Sequence, residues 1–419
     1  MQPFSFVHAA DLHLDSPFEG LRATDPSVAD HLRNATFEAF EGIVALCIDK
    51  RVDFLLIAGD IYDGADKSLR AQLKFRDGLA RLADEGIQSF IVHGNHDSLS
   101  GWSAGLEWPE GVHIFDGDAV KAIPVQREGE IICHVYGISY SVTEVHKNLV
   151  LEFQRSDDGP FAIGLLHCNV GSDTGHESYA PCSLNDLVAA KMGYWALGHV
   201  HNRKILRDEA PMVVYPGNPQ GRNPREMGQR GCYLVEVSEE GRPKETFFEC
   251  DVVRWSRETL DITTLADEEA LISSLEECVT VIREEAPHLS TILQVTLTGS
   301  GHIHYALQRP GFVDDLLERF QEDTTLPFVW VERLAVSTRS LIDFEARSQD
   351  EDFVGNLLRI VKSIKNDPEK LEDLSRHLDP LYNSTLGRRM LNRPDVNTLG
   401  RWADKANMWC LEHIDESET

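Results

Sequence analysis

The chain has 419 residues, 42% hydrophobic, 26% charged and 8% aromatic, which at roughly 150 residues per domain predicts two or three domains with buried cores. That composition excludes a disordered, collagenous or disulfide-stapled chain, and no apolar run approaches the ~18 residues of a membrane span. Sixty-nine acidic against forty basic side chains leave a net charge of −29, so any nucleic-acid binding must rest on local cations, metal ions or a partner.

Phe4–Ala9 is predicted as a strand and Ala29–Lys50 as a long helix with apolar residues at helical spacing. Val52–Ala58 is an apolar run of strand length, Ser68–Glu85 a second helix and Gln88–His93 a third strand. This alternation predicts a parallel sheet with covering helices. After Gly111 the pattern is strand-rich: Ala119–Gln126, Ile131–Ile138, Phe161–His167, Tyr194–Leu197, Met212–Tyr215 and Gly231–Val237. These are expected to form a second sheet, with many antiparallel pairs, packed on the first.

Near Trp255 the character changes, with Asp267–Glu284 and Phe312–Gln321 reading as helices and Thr291–Thr298 and Phe328–Ser337 as strands. From Asp343 onward the chain reads as helical and polar, with Phe353, Leu357, Val361 and Ile364 on one face. The expected organisation is therefore a main α/β domain over residues 1–256, a small α/β unit over 257–340 and a helical region over 341–419. Met1–Asp15 has no basic stretch before an apolar one and does not read as a signal peptide. The eight cysteines, Cys410 among them, are scattered and form no Cys-x-x-Cys, which predicts reduced thiols and a cytoplasmic chain.

Five segments share one grammar, in which a strand ends and metal-binding side chains follow at once: Asp11-Leu12-His13, Gly59-Asp60, Gly94-Asn95-His96-Asp97, Leu166-His167 and Gly198-His199-Val200-His201. Junctions at the carboxyl edge of a sheet are where open α/β folds bind ligands, and a glycine there lets the backbone turn sharply. Mixed oxygen and imidazole donors suit manganese, iron or zinc, and the set lacks the thiolates of a structural zinc site. Residues i and i+2 of an extended chain share a face, so Asp-x-His and His-x-His can each bind one ion or straddle two. Asp60 has two oxygens with which to bridge a metal pair of the kind that hydrolyses phosphoesters.

These segments, in this order, resemble the calcineurin-like metallophosphoesterases, and within them the SbcD-type DNA repair exonucleases of the YhaO-like branch. The resemblance covers about the first 250 residues, including the closing stretches Tyr215–Pro219 and Gly231–Val235, and more weakly the unit to about Ser337. It implies a four-layer αββα sandwich with a small α/β capping domain and a helical C-terminal region. It implies that Asp11, His13, Asp60 and His201 hold one divalent metal, and Asp60, Asn95, His167 and His199 a second, with manganese the expected ion. It further implies that His96 faces the leaving-group oxygen while Asp97 fixes its orientation. DNA is the implied substrate, an SMC-like coiled-coil ATPase of the SbcC kind the implied partner, and a homodimer common; no membrane is involved. Asp15 stands where the typical exonuclease has a glycine, which fits the YhaO-like branch.

Other residues have plainer readings. His8 and His93 read as core or supporting side chains, Cys168 as a buried thiol and Gly301-His302-Ile303-His304 as an exposed strand edge, while Asp63, three residues after Asp60, reads as a turn residue or, in the alternative, as a contact to substrate or water. Arg203, Lys204, Arg222, Arg225 and Arg230 are the candidates for phosphate contacts, with Arg222 and Arg225 foremost, although solvated loop charges explain them equally well. A phosphatase or phosphodiesterase for nucleotides or other small phosphoesters is the alternative function, and a scaffold for an ATPase a further one. The apolar face from Phe353 to Ile364 serves either the chain's own core or a partner.

Overall fold

In the computed structural model, which describes residues 1–18, 26–63, 68–101, 104–155, 159–171, 179–339, 347–365, 367–384, 391, 393–395, 398–403 and 406, the run Phe-Leu-Leu-Ile-Ala forms strand β2 (Phe54–Ala58), buried on both faces. Its side chains divide between two cores, as the two-residue period of a strand requires. Phe54, Leu56 and Ala58 enter one, with Phe6, Phe90, Ile163, Tyr194 and Val214. Leu55 and Ile57 enter the other, with Phe37, Phe40, Val44, Phe75 and Leu79.

Strand β2 lies in a six-stranded sheet of order β12-β11-β1-β2-β3-β4, with β1 Phe4–Ala9, β3 Gln88–Val92, β4 Val112–Ile114, β11 Gly231–Val237 and β12 Pro243–Glu249. β1 to β4 run parallel, while β11 pairs antiparallel with β1 and β12 antiparallel with β11. The second sheet has the order β5-β6-β7-β8-β10-β9, with β5 Lys121–Arg127, β6 Glu130–Gly137, β7 Phe161–His167, β8 Tyr194–Gly198, β9 Lys204–Arg207 and β10 Met212–Tyr215. Phe6 stacks on Phe54 at 5.0 Å and meets Tyr194 edge-on at 5.2 Å, which joins the two sheets face to face. Helices α1 (Pro26–Lys50) and α2 (Leu69–Asp84) cover the outer face of the first sheet. Leu187 of α3 (Leu184–Ala189) and Leu149 and Val150 of a 3-10 turn cover the second, beside Trp195 and Val213. The architecture is the expected αββα sandwich.

A three-stranded sheet follows, β13 (Val253–Asp261), β14 (Ser290–Thr298) and β15 (Val329–Val336), in that order. Val253, Trp255, Ile292, Phe328 and Trp330 bury with Val28, Leu32 and Ala35 of α1. Helices occupy Glu268–Glu285, Ile303–Leu307 and Phe312–Arg319, and later Phe353–Lys365, Pro368–His377 and Asp379–Asn383. The chain divides into two compact units, one of Met1–Thr259, Ser274–Thr296 and Val313–Ala335, the other of Leu260–Ser273, Leu297–Phe312 and Val336–Thr419. No helix among the described residues is long and apolar enough to cross a membrane. Asp343 and Cys410 lie outside the described residues.

Four expectations are corrected. Gly231–Val237 joins the first sheet, paired with β1, and not the second. The centre of the second sheet is parallel, from β6 through β7 and β8 to β10, and only its edge pairs are antiparallel. Connections long enough to cross over, such as the one holding α3, return the chain in the same direction. Ile303 and His304 belong to a short helix, not a strand edge, and His304 is buried with Nδ1 2.8 Å from the Thr338 hydroxyl. In the helix Phe353–Lys365 the buried stripe is Val354, Gly355 and Leu358, while Phe353 is 72% exposed.

Phe6→Ala removes a ring shared by both sheets. It is expected to cost about 3–5 kcal/mol, read as a lower midpoint for urea unfolding followed by tryptophan fluorescence.

Candidate metal centre

Strands β1, β2 and β3 in one sheet and β7 and β8 in the other end at a common edge, and the five motif segments leave from those ends. The backbone turns there through the left-handed region at Asp11 (φ 53°), His13 (φ 44°), Gly59 (φ 90°), Asp60 (φ 50°) and His199 (φ 103°). Such conformations cost of order 1–3 kcal/mol at non-glycine residues and persist where the surroundings fix them. Here the fixing is a short ladder: the Asp11, His13 and Leu14 N–H groups donate to the carbonyls of Gly59 (3.0 Å), Asp60 (3.0 Å) and Ile61 (2.8 Å). Asp15 also has a positive φ, 66°, the conformation a glycine at that position adopts readily.

Close approach needs two more glycines. A Cβ on Gly94 would lie 2.3 Å from Asp60 Oδ1 and 2.8 Å from the His167 ring, and one on Gly198 would lie 1.9 Å from the Ala58 carbonyl oxygen. With those positions bare, the donor atoms converge. His13 Nε2 and His201 Nε2 are 3.2 Å apart. His167 Nε2 is 3.0 Å from Asn95 Oδ1 and 3.3 Å from Asp60 Oδ2. The second oxygen of Asp60 accepts the His96 N–H at 2.9 Å. The carboxylate of Asp11 accepts the His199 N–H, at 3.0 Å to Oδ1, and the rings of His167 and His199 are 5.2 Å apart. Asp11, His13 and His201 form one possible ligand group and Asp11, Asp60 and His167 another.

The chemistry of this set fits a pair of cations. His201 Nδ1 lies 2.6 Å from Glu226 Oε1, and His167 Nδ1 lies 2.9 Å from the Ala58 carbonyl oxygen. With those N–H groups donated outward, the inner Nε2 atoms present lone pairs. A cation placed at these points would take up the lone pairs of His201 and His167, and without one the carboxylates of Asp60 and Asp11 draw a proton to His167 instead. The electrostatics show the demand for positive charge at the centre. Burial lowers the His167 imidazole, yet Asp60, Asp11 and the Ala58 carbonyl outweigh it and bring it up to about 9. Burial pushes Asp60 up, but His167, His13 and His96 outweigh it and hold it well below the usual carboxylate range. Burial followed by the Arg222 cation holds His13 down to about 3, the neutral form that ligates metals.

His96 stands beside this group, its ring 5.1 Å from that of His13 and its side chain 42% exposed. The acid that holds it is not Asp97. Asp97 is fully buried under the loop, accepting from the Ile61 N–H (2.9 Å) and Gly94 N–H (2.7 Å) and lying 3.0 Å from His93 Nδ1. It shapes the turn that carries Asn95 and His96. The partner of His96 is Asp63, whose Oδ1 is 2.8 Å from His96 Nδ1 and 3.6 Å from His13 Nδ1. That hydrogen bond raises the His96 imidazole above its ordinary value. Ser16 Oγ and Arg222 Nη1 (3.0 Å) donate to the other oxygen of Asp63.

The arginines separate. Arg222 is buried with its guanidinium on Asp63 and Ser16. Arg230 is buried on Asn218 and the His201 carbonyl oxygen, and Arg203 lies 4.0 Å over the Phe247 ring. Arg225 is exposed. His8 is buried with Nδ1 3.0 Å from the Tyr194 hydroxyl. Glu226 is the residue the sequence did not point to, and Asp63 is one for which a turn role stood slightly ahead of a functional one. The signal for Asp63 was an acid three residues beyond a strand-end ligand; Glu226, far along the chain from His201, had none.

Residues 4–203 match the calcineurin-like phosphoesterase family, and residues 255–339 match the middle domain of metallophosphoesterase YhaO. The chain is 36% identical over 381 residues to the metallophosphoesterase YhaO of Bacillus subtilis, covering 90% of this chain and 91% of that one. It is 22% identical over 405 residues to the DNA double-strand break repair protein Mre11 of Sulfurisphaera tokodaii, covering 88% of this chain and all of that one. Among solved structures, a dimetal phosphatase from Danio rerio is 12% identical, with a TM-score of 0.36 over 58% of this chain and 99% of that one. The chain belongs to the calcineurin-like metallophosphoesterases and, within them, is YhaO-like.

Proposed function

We propose that this chain is a two-metal phosphodiester hydrolase whose substrate is DNA, an SbcD-type exonuclease or endonuclease that acts in cytoplasmic DNA repair. The observation that carries the reading is the pairing of a buried Asp, His and Asn cluster with a half-exposed histidine held by its own carboxylate. The likeness to a protein named for double-strand break repair, over 88% of the chain, supports DNA. The seven free cysteines among the described residues suit a reducing compartment.

In this reading Asp11, His13, Asp60 and His201 hold one cation, and Asp60, Asn95, His167 and His199 the other. Manganese suits that mixture of oxygen and imidazole donors. Bound there, the pair would neutralise the phosphoryl charge and make a shared water acidic. The remaining work falls to the chain. Asp63 accepts from His96 Nδ1–H, which fixes the ring and reserves Nε2 for the reacting group. The water oxygen bonds to phosphorus and the bond from phosphorus to the departing 3′ oxygen breaks. That oxygen takes the proton of His96 Nε2, and the water's proton passes to solvent. Arg225, exposed in the loop after the last motif, contacts a neighbouring phosphate. The helix that presents Phe353 and Ile360 to solvent serves an SMC-like coiled-coil ATPase.

The net charge of −29 favours a second reading, hydrolysis of nucleotides or other small phosphoesters. A panel with manganese, magnesium and zinc, with and without the ATPase, separates the two. Manganese-dependent loss of single- or double-stranded DNA is expected. DNA left intact while nucleotides turn over would assign the second reading.

Two substitutions divide the roles. His96→Ala is expected to lower kcat by about 10²–10⁴-fold with metal retained, whereas Asp60→Ala loses metal, as elemental analysis of both variants will show. Gly94→Ala forces Asp60 and His167 apart and is expected to weaken manganese binding, measured by titration calorimetry.

A further inference from the structure

The loop after β10 buries more polar groups than a surface turn requires. Asn218, Gln220, Arg222 and Glu226 are each no more than 5% exposed. Glu226 uses both oxygens: Oε1 meets His201 Nδ1 at 2.6 Å, while Oε2 accepts the Arg222 N–H at 2.7 Å and Asn218 Nδ2–H at 3.0 Å. A buried carboxylate costs several kcal/mol unless its oxygens are paired in this way. Burial pushes Glu226 up, but His201 and then Arg222 outweigh it and hold it well below the usual range. The backbone of His201 is caught as well, since its carbonyl oxygen accepts from the Asn218 N–H (3.1 Å) and from Arg230.

The loop reaches the opposite side of the site through Arg222. Its Nη1 donates to Ser16 Oγ at 2.7 Å and to Asp63 Oδ2 at 3.0 Å, and Asp63 Oδ1 meets His96 Nδ1 at 2.8 Å. The backbone N–H of Arg222 rests on the acid that holds His201, and its side chain rests on the acid that holds His96. One loop thus sets the orientation of a ligand on one side and of the proton donor on the other.

We infer that this loop is a brace for the site, in which Glu226 and Arg222 are positioning residues: Glu226 holds His201 with Nε2 turned inward, and Arg222 holds Asp63 against His96. The inference rests on the two-metal reading above and adds the residues that keep its two halves in register. Neither residue touches phosphate or cation; each acts through the histidine beyond it.

The test uses the full chain and two readouts. The first is manganese affinity by titration calorimetry. The second is the ratio of kcat on a dinucleotide, which loses an alkoxide, to kcat on bis(p-nitrophenyl) phosphate, which loses a phenolate needing little protonation. Glu226→Gln keeps the size of the side chain and removes its charge; manganese affinity is expected to fall about 10–100-fold at one site. Should that variant not fold, Glu226→Asp reads the same quantity, with a smaller loss of the same sign. Arg222→Gln is expected to lower the kcat ratio about tenfold, because the poor leaving group depends on His96, and Arg222→Lys restores part of it. Wild-type manganese affinity in the Glu226 variants, or a wild-type ratio in Arg222→Gln, overturns the brace. A wild-type chain that binds no manganese overturns the two-metal reading instead.

Discussion

A buried cluster of carboxylates and imidazoles that demands positive charge at its centre is the constraint on which this structure turns. Two carboxylates, Asp11 and Asp60, are buried together with imidazole nitrogens whose outer N–H groups are already given away to Glu226 and to the Ala58 carbonyl. An isolated buried carboxylate is expensive, and a cluster of electron-rich atoms more so. Positive charge at the centre turns that cost into binding. The sandwich serves this arrangement by aligning strand ends from two sheets at one edge, and the positive-φ turns and glycines let side chains from far-apart segments meet there.

The same constraint bears on the acidic composition. A chain with a net charge of −29 repels a phosphate backbone at long range, yet a site that gathers cations reverses the sign locally. The arginines that follow the last motif contribute less to that reversal than their spacing suggests, since Arg222 and Arg230 are committed to protein partners. Their guanidinium groups rest on Asp63 and Ser16, and on Asn218 and the His201 carbonyl oxygen.

Much of the fold was legible because local pattern and tertiary role coincide. Phe54–Ala58 reads as a buried strand because it is buried on both faces, and the Asp-x-His and Gly-Asn-His-Asp segments are legible because their ligands follow strand ends directly. Strand direction in the second sheet was not legible from apolar content, which is the same for parallel and antiparallel pairs; the length of the connections carried that information. Proximity along the chain also misled. Asp97 is next to His96 in sequence, but the tight turn sends its carboxylate back to Ile61, Gly94 and His93, and Asp63 from another loop takes its place. Short polar strands such as Pro243–Glu249, a sheet edge opening with proline, gave too little periodic signal to be found.

The most direct test of the account is anomalous diffraction from crystals of the full chain soaked in manganese. Two peaks about 3.5–4 Å apart, flanking the Asp60 carboxylate and within ligand distance of the surrounding histidines, are predicted. Peaks lying away from Asp60, or no peak at saturating manganese, would contradict it.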